Sequence, residues 1–111
     1  MNVKDVVDQL NLTVVTGEDL LENIISSGFV GDLLSIVMGK AKEGCVWITI
    51  QGHLNIVAVA SLVGVACIVV TEGYKVEEAT IEKAKEENIP ILSTTLSSYQ
   101  VAIKLGSLGI E

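Results

Sequence analysis

Small polar residues, rather than charged ones, form the groups in this sequence that are best placed to bind a ligand. They fall in three short segments, residues 51–55, 71–74 and 93–97, and each segment follows an apolar, strand-like run. Ligands of open parallel sheets bind beyond the carboxyl ends of the strands, where such segments lie. A role as ordinary turns is the alternative. The candidate ligand-site residues in these segments are Gln51, Gly52, His53, Asn55, Thr71, Glu72, Ser93 and Thr94.

His53 is the only histidine, and its ordinary pKa makes it the obvious candidate for proton transfer. Acid–base catalysis would need a carboxylate or a nucleophile beside it, and Glu72 could approach from a neighbouring strand. We expect this histidine to hydrogen-bond its own loop or to contact a ligand instead. The phosphate-binding runs Gly-x-x-x-x-Gly-Lys-Ser/Thr and Gly-x-Gly-x-x-Gly do not occur, and we predict no catalytic residue.

The overall composition excludes several classes of partner. Half of the 111 residues are hydrophobic, and seven lysines, no arginine and 14 acidic residues give a net charge of −7. Nucleic acids require a basic face, and anionic membrane surfaces repel an acidic protein. The longest apolar run, residues 56–70, is shorter than the roughly 20 residues of a membrane span. We therefore expect no nucleic-acid and no membrane partners. Because no signal-peptide pattern opens the sequence, we also expect a cytoplasmic protein.

Two cysteines and one tryptophan lie in apolar, strand-like runs. Metal binding would require closer spacing and more ligands than Cys45 and Cys67 provide, so we predict buried, reduced thiols, no metal and no cofactor. Trp47 stands between apolar neighbours in a strand-like run. We expect it in the core or, together with Phe29 and Val30, at a dimer interface.

Alternating helix and strand patterns position these residues. Helical periodicity predicts helices over residues 3–10, 33–42, 55–62, 76–88 and 97–108. Strand-like runs occupy residues 12–15, 24–30, 45–50, 66–70 and 91–92. We expect Asp32 to cap the second helix and Gly28 to kink or bulge the second strand. The apolar residues expected to be buried in that second helix are Leu33, Leu34, Val37, Met38 and Ala41. The alternation predicts one α/β domain over residues 1–111, a mainly parallel β-sheet flanked by helices.

Residues 25–35 and residues 46–55 form two stretches that together resemble the DRTGG domain family. Residues 25–35 are similar to a Gly-Tyr-Val-x-Asp-Leu-Leu-Ser stretch of that family, and residues 46–55 to a Trp-x-Thr-x-Gln-x-His-x-Asn stretch. Residues 86–94 are similar as well, so the resemblance extends over nearly the whole chain. The motif that names the family is altered, since Glu22 and Asn23 replace Asp-Arg and the Thr-Gly-Gly positions are Ser26, Ser27 and Gly28. The chain therefore lacks the arginine, the side chain best suited to a bidentate phosphate contact.

The resemblance implies a regulatory module. DRTGG domains accompany adenine-nucleotide regulation and help to form dimers in CBS-containing pyrophosphatases, and they also occur in phosphotransacetylase-like proteins. Their fold is similar to the N-terminal domain of HPr kinase/phosphorylase, whose kinase activity belongs to a separate P-loop domain that this sequence lacks. We therefore expect a non-catalytic, homodimeric domain that senses an adenine nucleotide or dinucleoside polyphosphate, with Ser26 and Gly28 as further ligand-site residues.

Two alternatives to this expectation stay open. One is a ligand-free module for dimerisation or for docking a protein partner. The other is a minimal enzyme that uses His53 and Glu72.

Overall fold

Helices and strands alternate in the computed structural model, which describes residues 1–111. The helices are α1 (Val3–Leu10), α2 (Leu34–Lys40), α3 (Asn55–Val63), α4 (Glu78–Glu86) and α5 (Ser98–Ser107). The strands are β1 (Thr13–Thr16), β2 (Ser27–Val30), β3 (Cys45–Thr49), β4 (Cys67–Val70) and β5 (Ile91–Ser93). None of these helices has the length and apolar character needed to cross a membrane.

All five strands form one sheet in the order β1-β5-β4-β3-β2. The strands β2 to β5 run parallel to one another, whereas β1 lies antiparallel to β5 at one edge. The predicted single α/β domain with a mainly parallel sheet is confirmed. The first two strands thus form opposite edges, and residues 17–26 join them along the end of the sheet where the parallel strands begin. Asn23 fixes this crossing because its side-chain amide donates to the Ala66 carbonyl oxygen at 3.2 Å.

The irregularity of the sheet lies in β1 rather than at Gly28. The register shifts between Val14 and Thr16, whereas β2 pairs with β3 without interruption. The hydroxyl of buried Thr16 donates to the Ile89 carbonyl oxygen at 2.7 Å and accepts from the Ile91 N–H at 3.0 Å. These two bonds join β1 to β5 where the ladder is irregular. The predicted kink or bulge at Gly28 is therefore wrong.

The sheet separates two hydrophobic clusters of 13 buried residues each. Successive strand residues point to opposite faces, so Cys67 lies in the cluster beneath α1 and α5 and Cys45 in the cluster beneath α2, α3 and α4. Both thiols are free, and both are buried as predicted. Burial raises the pKa of Cys67, with a smaller contribution from Cys45, and burial also raises the pKa of Cys45.

Helix α2 is more exposed than its apolar pattern suggests. Leu33 and Met38 are 64% and 46% exposed, and Val37 is the one fully buried side chain of the predicted face. The helix lies beside α3 near the edge of the sheet, so one side of it has a packing partner. Asp32 does not cap this helix, because its carboxylate instead accepts hydrogen bonds from Thr49 Oγ1 at 2.8 Å and the Ile50 N–H at 3.0 Å.

Candidate functional site

The three polar segments predicted from the sequence lie at the carboxyl ends of β3, β4 and β5. The register places Thr49 opposite Val70, and Val70 opposite Ser93, so the three loops leave the sheet at one level. Ser26 and Gly28 lie elsewhere, because the next residue after Ser26 begins β2 and pairs with the first residue of β3. They occupy the opposite end of the sheet or the middle of its edge strand, so the structure does not bring them together with the other predicted site residues.

The first of these loops is held in place by internal contacts. The Gly52 carbonyl oxygen accepts hydrogen bonds from the Glu77 N–H at 3.0 Å and from Thr80 Oγ1 at 2.7 Å. Gln51 Nε2 donates to the Asp32 carbonyl oxygen. Gly52 therefore joins the loop after β3 to the start of α4, and Gln51 joins it to the segment that follows β2. The polar groups of both residues are engaged in these structural contacts.

His53 and Glu72 do not form an acid–base pair. His53 Nδ1 accepts a hydrogen bond from the Asn55 N–H at 3.3 Å, and both residues are exposed. Glu72 Oε2 accepts from the Ser98 N–H at 3.4 Å, at the first turn of α5. No hydrogen bond or ion pair joins His53 to Glu72, so these two residues do not assemble the arrangement that proton transfer would require.

Thr71 is fully buried and serves as a link between β4 and α5. Its hydroxyl lies 2.6 Å from Ser98 Oγ and donates to the Thr49 carbonyl oxygen at 3.4 Å. A ligand could reach this hydroxyl only by displacing α5. No three His, Cys, Asp or Glu side chains come together in an arrangement that could hold a metal ion.

The loops after β4 and β5 border a polar cavity of about 320 Å³. Of the predicted site residues, Ser93 and Thr94 line it. Thr13, the first residue of β1, also lines it, because β1 runs antiparallel to β5 and Thr13 pairs with Ser93. The lining residues of this cavity, which we call the polar cavity, are Asn11, Thr13, Gly73, Tyr74, Ser93, Thr94 and Thr95.

Backbone hydrogen bonds fix the walls of the polar cavity. The Glu72 N–H donates to the Leu96 carbonyl oxygen at 2.8 Å, and the Gly73 N–H donates to the Thr94 carbonyl oxygen at 3.0 Å. Glu72 and Gly73 both adopt left-handed backbone conformations, with φ of 62° and 71°. These bonds tie the loop after β4 to the loop after β5, so the cavity exists before any ligand binds.

The residues expected at a dimer interface have different environments. Trp47 is completely buried, and its indole N–H donates to the Gly31 carbonyl oxygen at 2.9 Å. Of the two environments predicted for Trp47, the structure shows the core. Val30 is 51% exposed and Phe29 is half-buried, and both border a small apolar cleft of about 190 Å³ beside β2.

Comparisons with known proteins agree with this architecture. A solved structure of the CBS and DRTGG domains of the regulatory region of Clostridium perfringens pyrophosphatase, complexed with its activator diadenosine tetraphosphate, has a TM-score of 0.74 to this chain at 19% sequence identity. The similarity covers 93% of this chain and 45% of that one, so this chain spans less than half of the structure that it resembles. No curated protein matches the sequence. The family model of the DRTGG domain matches residues 5–108, and the chain therefore belongs to the DRTGG domain family.

Proposed function

We propose that this chain is a non-catalytic regulatory domain that senses a small ligand of the adenine-nucleotide type, bound in the polar cavity. The observation that carries the proposal is this cavity, which is preformed and lies at the carboxyl ends of β4 and β5. The family membership supports a regulatory role. The similarly folded pyrophosphatase region, which was solved with diadenosine tetraphosphate, supports the choice of ligand class.

The side chains of the polar cavity suit the parts of a nucleoside. Tyr74, which is 56% exposed, offers an aromatic face on which a base can stack. Asn11 carries an amide, whose donor and acceptor match the edge of adenine. The hydroxyls of Thr13, Ser93 and Thr94 are suited to the ribose.

The same set of side chains supports a role in binding rather than in catalysis. The phenol of Tyr74 is the one titratable group among the lining residues, and no carboxylate, imidazole or thiol stands beside it in the cavity. Nucleophilic and acid–base mechanisms both depend on such a partner.

A thermal-shift series tests the proposal. Adenosine, AMP, ADP, ATP and diadenosine tetraphosphate are added separately, and a compound at about 100 times its Kd stabilises the fold by about 2.7 kcal/mol. This free energy raises the Tm of a domain of this size by several degrees. Tyr74→Ala is expected to abolish the shift, whereas Tyr99→Ala is the matched control because Tyr99 is 76% exposed outside the cavity. Flat melting curves with all five compounds contradict the proposal.

A homodimer formed through the β2 edge is the second candidate function. The outer edge of β2 pairs with no other strand, although its Gly28 N–H donates to the Glu111 carbonyl oxygen at 3.4 Å. The exposed apolar side chains Val30, Leu33 and Ile36 follow one another along β2 and the start of α2. A strand edge that no other strand covers, beside exposed apolar side chains, favours contact with a second copy. Sedimentation equilibrium of the wild-type chain and of Leu33→Lys tests this candidate, and a wild-type monomer at every concentration contradicts it.

A further inference from the structure

We infer that the polar cavity recognises the uncharged nucleoside part of its ligand and leaves the phosphates in solvent, so that adenosine binds more tightly than AMP or ATP. This inference rests on the proposed function and specifies the ligand further. It follows from the charges around the cavity, from the hydrogen bonds of the neighbouring backbone and from the cavity volume.

The charges around the polar cavity disfavour phosphate. None of its seven lining residues is a lysine, arginine or histidine. Glu72, whose side chain is exposed, directly precedes the lining residue Gly73 in the chain. The net charge of the whole chain is −7. Lys75, which follows Tyr74, is the nearest cation along the chain, and it does not line the cavity.

Most of the backbone N–H groups that could replace a cation are already engaged. Helix α5 begins next to the cavity, and the N-terminus of a helix is a common phosphate site. Here Ser97 Oγ accepts from the Gln100 N–H at 3.1 Å, and the Glu72 carboxylate accepts from the Ser98 N–H at 3.4 Å. A phosphate at this helix would have to displace a carboxylate of the protein itself.

The backbone N–H groups of the loops at the cavity are also largely engaged. The N–H groups of Glu72, Gly73 and Tyr74 donate to carbonyl oxygens within the two loops, at 2.8, 3.0 and 3.2 Å. The Leu96 N–H donates to Thr94 Oγ1 at 3.1 Å. Phosphate-binding loops instead direct several free N–H groups at the ligand. These bonds leave a phosphate few donors, since among the lining loop residues Gly73, Tyr74, Thr94 and Thr95 only the Thr95 N–H has no acceptor.

The volume of the cavity limits the ligand further. About 320 Å³ is at the lower end of the range for small-molecule sites and is suited to a single nucleoside. Diadenosine tetraphosphate contains two nucleosides joined by four phosphates, so one adenosine would enter the cavity and the rest would remain outside. We therefore expect diadenosine tetraphosphate to bind no more tightly than adenosine.

Isothermal titration of the wild-type chain with adenosine, AMP, ATP and diadenosine tetraphosphate tests the inference. Repulsion between Glu72 and a nearby phosphate is expected to weaken AMP relative to adenosine by roughly two- to fivefold, and ATP further. Glu72→Gln keeps an acceptor for the Ser98 N–H but removes the charge. We expect this variant to bind AMP several-fold more tightly and adenosine as the wild type does.

The outcomes of this titration separate the two proposals. Adenosine as the tightest ligand, with its binding lost in Tyr74→Ala, supports both. ATP or diadenosine tetraphosphate as the tightest ligand, or a loss of ATP binding alone in Lys75→Gln, overturns the selectivity for the nucleoside while the proposed sensing function stands. No binding of any of the four compounds overturns both.

Discussion

Replacing Gly52 by alanine should destabilise the whole domain, because no space exists for a side chain at this position. The added Cβ would overlap the Lys75 carbonyl oxygen and would lie 2.8 Å from the Lys75 carbonyl carbon and 3.0 Å from Val76 Cα. All three are backbone atoms, which cannot rotate away as the end of a flexible side chain can. The loop after β3 must therefore separate from the segment that leads into α4.

The magnitude follows from what this separation breaks. Overpacking of a well-filled interior costs about 1–3 kcal/mol. The Gly52 carbonyl oxygen also accepts from the Glu77 N–H at 3.0 Å and from Thr80 Oγ1 at 2.7 Å. Thr80 is completely buried, so a hydroxyl left without its partner costs about 1–3 kcal/mol more. We expect Gly52→Ala to lower the free energy of unfolding by about 2–6 kcal/mol, a large part of a typical domain's stability.

Urea denaturation followed by circular dichroism measures this change as a lower midpoint at an unchanged slope. Gly39→Ala is the matched control, because Gly39 lies within α2 and its added Cβ would meet no atom within 4 Å. In the helix interior this control should raise stability by up to about 1 kcal/mol. If Gly52→Ala unfolds at the wild-type midpoint, the two loops do not make the close approach described here and the reasoning fails.

Three further predictions concern single side chains. Thr16→Val should lower the free energy of unfolding by about 2–3 kcal/mol in urea, because the Thr16 hydroxyl makes two buried hydrogen bonds to β5 and the residues before it; an unchanged midpoint contradicts this. Ser97→Ala should cost about 1 kcal/mol by removing the capping box of α5, with the exposed Ser107→Ala as control. Burial raises the pKa of Cys67, so the folded thiol stays protonated while the unfolded thiol ionises above about pH 8.5. Its contribution to stability is therefore complete below that pH and declines as the pH rises further, so Tm should fall more steeply between pH 8 and 10 in the wild type than in Cys67→Ala.

Much of the fold is encoded in local patterns that the sequence displays directly. The entirely apolar run that becomes β4, with a helix pattern on each side, is typical of a parallel strand covered on both faces, and β4 is buried throughout. The capping box of Ser97 and Gln100 fixes the start of α5, and its Ser-x-x-Gln spacing is a pattern typical of helix starts. These features depend on neighbours within a few residues, which is why the order of elements follows from the sequence.

The polar cavity depends on a long-range pairing. The sequence therefore indicates only the part of its lining that comes from the ends of β4 and β5. Ser93 ends a parallel strand and Thr94 follows it, and the predicted parallel arrangement places both at the carboxyl end of the sheet. Asn11 and Thr13 reach the same cavity because β1 pairs antiparallel with β5, and no local pattern in either segment specifies that pairing. Asp32 illustrates the same limit, since its position before a helix suggested a cap while its carboxylate instead bonds to the distant end of β3.

The placement of β1 and β2 on opposite edges of the sheet has a consequence for how the chain folds during synthesis. Both edge strands come from the first 30 residues, which leave the ribosome before any strand that they pair with. Thr16 must wait for partners that are 73 and 75 residues further along the chain. Non-local pairing of this kind slows folding and exposes unpaired strands in the meantime. The nascent domain therefore has a long interval in which β1 is open to chaperones or to the same segment of a neighbouring nascent chain.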